Sequence, residues 1–215
     1  MFQAVIFDMD GVITDSEGIG LRVMQQAARR QGVELSDRTL HESQGMTVPA
    51  FCALYQSLNP SLDGELLNRD FEHDMLSAAR KGEIPLKPGV CELLDTLDEL
   101  HIPRAVASSS ERIVVETYLR SNKIIQRFDA LITGELAEHS KPAPDLFLLA
   151  AQTLNADPRS CLVLEDSDNG LRAGRAAGMN VCMIPDQIPY SETLAPFCDH
   201  VLPSLLDVRE LILHA

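Results

Sequence analysis

From residue 89 onward, short apolar runs alternate with amphipathic segments, and this alternation limits the chain to few folds. The spacing predicts strands at 104–107, 130–133, 161–165 and 181–184, and helices at 89–100, 111–120, 144–154 and 169–177. The apolar run at residues 4–7 predicts one further strand at the start of the chain. Strands that alternate with helices pair in parallel, and right-handed crossovers place helices on both faces of the sheet. The sequence therefore predicts an α/β fold with a doubly wound parallel sheet.

The segment between the first strand and residue 85 has a purely helical pattern. Helices are predicted at 17–30, 37–43, 48–58 and 62–80. In the last of these, apolar residues at spacings of three and four form a stripe suited to packing against neighbouring helices. We therefore predict a core formed by residues 1–14 and 85–215, interrupted by an inserted all-α domain at residues 15–84.

Composition restricts the classes of partner. The 215 residues carry a net charge of -14, which disfavours a nucleic-acid partner because binding to phosphate backbones needs a basic surface. No apolar run reaches membrane-spanning length, and five cysteines without a Cys-x-x-Cys pair argue against a disulfide framework or a zinc site. We expect a cytoplasmic protein, a monomer, that binds a small molecule and neither nucleic acid nor a membrane.

Reactive side chains follow the ends of four predicted strands. In chain order they are Asp8 and Asp10, then Ser108 and Ser109, then Lys141, then Glu165 and Asp166. Because the carboxyl ends of parallel strands meet at one edge of a sheet, these side chains are expected to converge there. A group of carboxylates, hydroxyls and one lysine predicts a phosphoryl-transfer site.

The two carboxylates of Asp8-Met9-Asp10-Gly11 suit different steps of such a transfer. A carboxylate nucleophile forms an aspartyl-phosphate and divides one difficult displacement into two easier ones, and we assign this role to Asp8. A second carboxylate can protonate the leaving oxygen and later accept a proton from water, and we assign this role to Asp10. Taken alone, an Asp-x-Asp pair is also typical of a solvated turn.

A carboxylate and a phosphate repel each other, which calls for a cation such as Mg²⁺. The predicted ligands are Asp8, Asp10 and Asp166; since magnesium keeps several waters, two carboxylates and one backbone carbonyl are sufficient. Glu165 is predicted to support these ligands without binding the metal itself. The alternative for Glu165 and Asp166 is an acidic turn at a strand end.

Three further residues are predicted to bind the phosphoryl oxygens. Lys141 supplies a fixed positive charge, and the hydroxyl and amide groups of Ser108 and Ser109 lie near the start of a predicted helix. The alternatives are a solvated loop lysine and, for Ser109 or Ser110, the N-cap of that helix.

Taken in order, these motifs resemble the haloacid dehalogenase superfamily. The resemblance rests on Phe-Asp-Met-Asp-Gly-Val-Ile-Thr-Asp-Ser-Glu at 7–17, Ser108, Ser140-Lys141-Pro142-x-Pro144-Asp145, and Glu165-Asp166-Ser167-x-x-Gly170. It covers essentially the whole chain. It implies a Rossmann-like core with a helical cap, and it implies the same roles for Asp8, Asp10, Ser108, Lys141 and Asp166.

Within this superfamily the chain is similar to the branch that contains β-phosphoglucomutase and sugar-phosphate phosphatases. The mutase has a histidine at the start of its first cap helix, where this chain has Gly20, and an arginine in a cap loop resembling Gly45–Val48, where this chain has no cation. A mutase must hold a second phosphate, which is difficult without such a cation. The alternative is that another cation of the insertion takes this place: Arg38, Arg69, Arg80 or Lys81. We therefore predict a Mg²⁺-dependent phosphatase of a small phosphorylated metabolite, with sugar phosphates as the expected substrate class and a phosphosugar mutase as the alternative.

Overall fold

A computed structural model describes residues 2–42 and 48–214, so the loop at Gly45–Thr47 lies outside the described residues. The chain forms two compact units. Met1–Asp15 with Pro85–Ala215 is named the sheet unit, and Ser16–Ile84 is named the helical unit. The assignment of these units as a catalytic core and a cap, with boundaries at residues 14 and 84, stays a prediction.

The helical unit contains α1 (Glu17–Arg30), α2 (Asp37–Glu42), α3 (Val48–Leu58) and α4 (Gly64–Arg80). The fourth helix starts two residues later than predicted because the Asp63 side chain accepts hydrogen bonds from the amides of Glu65 and Leu66, which makes it the N-cap. The predicted end of α2 at Ser43 lies outside the described residues. The helices pack around buried Met24, Tyr55 and Leu67. No helix among the described residues is both long and apolar enough to cross a membrane.

The sheet unit has six parallel strands in the order β3-β2-β1-β4-β5-β6. Their bounds are β1 (Ala4–Phe7), β2 (Arg104–Ala107), β3 (Ala130–Ile132), β4 (Cys161–Glu165), β5 (Asn180–Met183) and β6 (His200–Val201). The helices are α5 (Val90–Glu99), α6 (Arg112–Ser121), α7 (Asp145–Thr153), α8 (Asp168–Ala176) and α9 (Leu205–Leu213). The predicted α/β fold with a doubly wound parallel sheet is confirmed.

Two elements, β6 and α9, were not predicted from the sequence. The strand has only two residues, too few for a period to be visible. For α9 a signal was present, since the buried Leu205, Val208 and Ile212 are spaced three and four apart. The other element ends match the predictions or differ from them by one residue, which is ordinary for helix and strand termini.

The strand order places a topological switch point beside β1. The chain continues from β1 to β2 and β3 on one side and then returns to add β4, β5 and β6 on the other. Every residue of β1 and β4 is buried, so these central strands form the rigid floor of the unit. Ligands of open α/β sheets bind at the carboxyl ends of the strands at such a point, here the ends of β1, β2 and β4.

Candidate active site

The ammonium group of Lys141 connects the ends of the three central strands. Its Nζ donates hydrogen bonds to Asp8 Oδ1 at 2.5 Å, to the Ala107 carbonyl at 3.0 Å and to Glu165 Oε1 at 2.7 Å. The Lys141 side chain is 6% exposed, and its Nζ lies 4.8 Å from the centre of the Phe147 ring. The alternative of a solvated loop lysine is therefore wrong, and Lys141 is a buried charge held in one position.

Asp8 follows β1 directly and is held by β4 and by the loop that carries Lys141. Its amide donates to the Leu164 carbonyl at 2.9 Å, and its carboxylate accepts from Lys141. Burial raises the pKa of Asp8 to about 7, although the attraction of Lys141 opposes this shift. Burial by itself lowers the pKa of Lys141, but the charges of Asp8 and Glu165 raise it above its usual value, so the ammonium group stays charged.

Glu165 ends β4 and is almost completely enclosed. Its Oε2 accepts hydrogen bonds at 3.0 Å from the amides of Asp166 and Ser167 and from the Ser167 hydroxyl, while Oε1 accepts from Lys141. Ser167 in turn caps α8 by accepting from the Gly170 amide. Both oxygens of Glu165 are thus occupied by donors, an arrangement suited to fixing the turn and Lys141.

Gly170 is required because the Glu165 carboxylate occupies the space beside it. A Cβ atom at residue 170 would lie 1.8 Å from the carboxyl carbon of Glu165. We expect Gly170→Ala to displace Glu165, to cost about 1–3 kcal/mol of stability and to lower turnover at least about tenfold because Lys141 loses its anchor. Melting temperature and phosphate release measure the two effects.

The matched control for this prediction is Gly18→Ala in α1. A Cβ at Gly18 meets no atom within 4 Å, so we expect wild-type turnover and a gain of about 0.5–1 kcal/mol from the better helix former. If Gly170→Ala behaved like Gly18→Ala, the Glu165 carboxylate would not need its observed position.

Asp8, Glu165 and Asp166 form a compact carboxylate cluster. One oxygen of each lies within 4.8 Å of the others. Burial, followed by the charges of Glu165 and Asp8, raises the pKa of Asp166 well above its usual value. Among the described residues, Lys141 pairs with Asp8 and Glu165, while Asp166 has no ion pair, so the cluster contains more carboxylates than cations. Hard divalent cations prefer oxygen donors with such an excess of negative charge, and the residues present fit a cation of this class.

Asp10 and Gly11 form the turn after β1. Asp10 is half-buried and forms a β-bridge with Thr14, and its charge contributes to the raised pKa of both Asp8 and Asp166. Gly11 has a φ of +78°, and a Cβ there would lie 2.2 Å from Asp166 Oδ2. The turn therefore needs glycine both for its left-handed backbone and for the close approach of Asp166.

Ser108 and Ser109 differ from each other in their surroundings. Ser108 is buried, its hydroxyl oxygen accepts from the Ser110 amide at 3.1 Å, and its own amide donates to the Ile132 carbonyl. The hydroxyl proton can still be donated to an anion, but the expectation that the Ser108 amide binds phosphate is wrong because the sheet uses it. Ser109 is exposed. The N-cap alternative for Ser109 or Ser110 is also wrong, since Glu111 precedes α6 and makes no side-chain cap.

One carboxylate near this group was missed by the sequence analysis. Asp186 follows the end of β5, and its Oδ1 accepts from Lys87 Nζ at 2.8 Å. A signal was available, because Asp186 comes two residues after the apolar run at 181–184, close to the end of a predicted strand. The structure therefore brings Asp8, Lys141, Glu165 and Asp166 together, with Asp186 as a neighbour that influences Asp166.

Comparison with known families gives one clear match. Residues 5–184 match the family model described as haloacid dehalogenase-like hydrolase. The match extends from β1 to the end of β5, and it includes all of the carboxylates of the cluster.

Two known proteins are similar over most of the chain. Fructose-1-phosphate phosphatase YqaB of Escherichia coli K12 is 31% identical over 182 residues, which cover 83% of this chain and 94% of YqaB. The bifunctional riboflavin kinase/FMN phosphatase of Arabidopsis thaliana is 30% identical over 209 residues, which cover 96% of this chain and 54% of that protein. This chain thus spans about half the length of the bifunctional protein.

A similar fold is found in a solved structure. The crystal structure of CbbY from Rhodobacter sphaeroides in complex with phosphate has a TM-score of 0.83 and 26% sequence identity. The likeness covers 97% of this chain and 96% of CbbY.

Proposed function

Because the chain belongs to the haloacid dehalogenase-like hydrolase family, we propose that it is a phosphatase that hydrolyses a small phosphorylated metabolite, with sugar phosphates as the substrate class. The observation that carries the proposal is the buried Lys141, which holds Asp8 and Glu165 at the switch point of the sheet. A nucleophilic carboxylate paired with a fixed cation suits attack on an anionic phosphate.

The first step takes place at Asp8. A carboxylate oxygen of Asp8 attacks phosphorus, the bond between phosphorus and the ester oxygen breaks, and the aspartyl-phosphate forms on Asp8. Asp10 donates a proton to the departing alcohol oxygen in this step. In the second step Asp10 accepts a proton from water as the water oxygen attacks phosphorus, which releases inorganic phosphate and restores Asp8.

Asp8, Asp10 and Asp166 would hold Mg²⁺, which when bound offsets the repulsion between the carboxylates and the phosphate. Glu165 fixes the turn that presents Asp166, through its bonds to the amides of Asp166 and Ser167. Lys141, the Ser108 hydroxyl and Ser109 would bind the phosphoryl oxygens. The three N–H donors of Lys141 are used by protein acceptors, so its contribution is a fixed positive charge beside Asp8 that needs little reorganisation when charge develops during transfer.

The substrate class rests on the relatives and on the site. YqaB is a fructose-1-phosphate phosphatase, and CbbY binds phosphate in its crystal structure. The bifunctional relative acts on FMN, so a phosphate ester of flavin belongs in the test panel. The chain carries a net charge of -14, so the phosphate must be recognised by local cations such as Lys141.

Mutase chemistry has less support in the helical unit. Gly20 lies in α1, where a Cβ would meet the Phe71 ring at 3.9 Å, and glycine has no side chain with which to relay a proton. The cations of this unit that were considered as substitutes are all exposed, as expected for solvated charges; they are Arg38, Arg69, Arg80 and Lys81. These surroundings favour water as the final acceptor of the phosphoryl group.

The proposed function is tested by measuring phosphate release with Mg²⁺ from fructose 1-phosphate, other sugar and hexitol phosphates, FMN and nucleotides. We expect release from a subset of the sugar phosphates, and we expect chelation of divalent metal to abolish it. β-Glucose 1-phosphate with a trace of the 1,6-bisphosphate serves as the mutase assay. Formation of glucose 6-phosphate without net phosphate release would replace the phosphatase proposal with the mutase alternative.

A further inference from the structure

Asp186 is a buried carboxylate to which the proposed chemistry gives no role. It lies three residues beyond the end of β5, and its side chain is only 10% exposed. Lys87 Nζ donates to its Oδ1 at 2.8 Å. The other oxygen, Oδ2, is fully enclosed and has no hydrogen-bond partner within residues 2–42 and 48–214.

This unpartnered oxygen lies beside Asp166. A single point, the position that a Cβ of Gly11 would occupy, lies 3.3 Å from Asp186 Oδ2 and 2.2 Å from Asp166 Oδ2. Glycine at residue 11 thus leaves a space that two carboxylate oxygens border. The Asp186 charge also contributes to the raised pKa of Asp166, as expected for two carboxylates at short range.

The arrangement is unfavourable unless a donor or a cation is present. A buried carboxylate oxygen without a hydrogen bond has lost its water without replacement, and a second carboxylate nearby adds repulsion. Lys87 offsets the charge of Asp186 by donating to its Oδ1, and this ion pair also turns Oδ2 away from the lysine. The orientation is therefore held by a specific ion pair.

We propose that Asp186 is a positioning residue for the metal, whose Oδ2 accepts a hydrogen bond from a water molecule in the hydration shell of the divalent cation that Asp166 binds. This inference rests on the proposed function. Among the described residues, the carboxylate oxygens of Asp8, Glu165 and Asp166 lie within 4.8 Å of one another and Asp186 is outside this group, so we assign Asp186 a contact through water. Mg²⁺ usually keeps several waters, and carboxylates that bind such waters orient the metal. Lys87 aligns Asp186 for this contact.

The proposal is tested by titrating metal-free protein with Mn²⁺ and measuring free Mn²⁺ by electron paramagnetic resonance. Mn²⁺ prefers the same oxygen ligands as Mg²⁺. We expect Asp186→Asn to weaken Mn²⁺ binding about tenfold. The matched control is Asp95→Asn, since Asp95 is a 66% exposed carboxylate that pairs with Arg127, and it should leave the affinity unchanged.

A second variant separates a positioned hydrogen bond from a general effect of charge. Lys87→Met removes a positive charge, which on charge alone would tighten Mn²⁺ binding. If Lys87 aligns Asp186, the variant instead weakens binding, and combining it with Asp186→Asn adds little further loss. Tighter binding in Lys87→Met would overturn the proposal.

The remaining outcomes distinguish this inference from the proposed function. Unchanged Mn²⁺ affinity in Asp186→Asn, together with weakened affinity in Asp166→Asn, would overturn the role of Asp186 and leave the metal site of the phosphatase in place. A lower melting temperature of the metal-free Asp186→Asn variant with unchanged affinity would make the residue structural, which also overturns the proposal. If the wild type bound no Mn²⁺, the metal site itself would fail.

Discussion

Asp8→Asn is expected to lower turnover at least about 10⁴-fold, because the amide oxygen is too weak a nucleophile to form the covalent intermediate. The fold should survive, since the amide oxygen can still accept a hydrogen bond from Lys141 and the Asp8 main-chain amide still donates to Leu164. The change also removes one negative charge from the cluster of Asp8, Glu165 and Asp166. We therefore expect an unchanged or higher melting temperature for the metal-free protein.

Two measurements check the prediction for Asp8. Steady-state phosphate release gives turnover, and borohydride reduction during turnover converts an aspartyl-phosphate into homoserine that mass spectrometry can locate at residue 8. The wild type should be labelled there and Asp8→Asn should not. Asp95→Asn is the control, because that exposed carboxylate lies in α5 and pairs with Arg127. Turnover within tenfold of the wild type in Asp8→Asn would end the covalent scheme.

Lys141→Met is expected to lower both activity and stability. Among the described residues, the variant removes the only ammonium group that lies between Asp8 and Glu165. The Asp8 side chain is 13% exposed and the Glu165 side chain is 1% exposed. Breaking a buried ion pair by deleting one partner typically costs about 3 kcal/mol, since the remaining charge stays buried. Turnover should fall at least about 100-fold, because Lys141 would stabilise charge on the phosphoryl group during transfer.

A double variant separates the two effects of Lys141. In Lys141→Met combined with Glu165→Gln, one negative charge is removed and the introduced amide nitrogen can donate toward Asp8. Stability measured by denaturant unfolding should recover by about 1 kcal/mol or more, while turnover stays low because the cation is still missing. Recovery of turnover along with stability would show that Lys141 acts only on the fold, and a loss of tenfold or less in the single variant would make it peripheral.

Much of the fold could be predicted because local patterns and tertiary structure agree. The apolar runs that form β1 and β4 are short and fully buried, and their flanking helices have clear periods. The bounds of α1 and α3 match the predictions at both ends. The two-residue strand β6 was not predicted because it is too short to show a period. The start of α4 was predicted two residues too early because the side-chain cap at Asp63 decides where the helix begins.

For the candidate site, the sequence predicted which residues take part and near which strand ends they lie. Asp8, Lys141, Glu165 and Asp166 each stand where an apolar run or a stiff loop presents them, and a parallel sheet must bring its carboxyl ends together. The hydrogen-bond partners were not predictable. The Ser108 amide was expected to bind phosphate, yet it donates to the Ile132 carbonyl. Ser108 directly follows β2, and whether its amide is used depends on how β2 pairs with β3, a strand that is distant in sequence.

The sequence by itself determined the α/β class, the helical insertion and the identity of the groups that can carry out phosphoryl transfer, since these depend on local period and on residue chemistry. Only the tertiary structure decided that one lysine holds Asp8, Ala107 and Glu165 at once, that Gly170 leaves room for Glu165, and that Asp186 turns an unpaired oxygen toward Asp166. The contacts of Lys141 and Asp186 join residues far apart in the chain, and the contact between Gly170 and Glu165 depends on how the turn after β4 folds back on itself. Their geometry is set by how the strands and loops pack, and no local pattern records it.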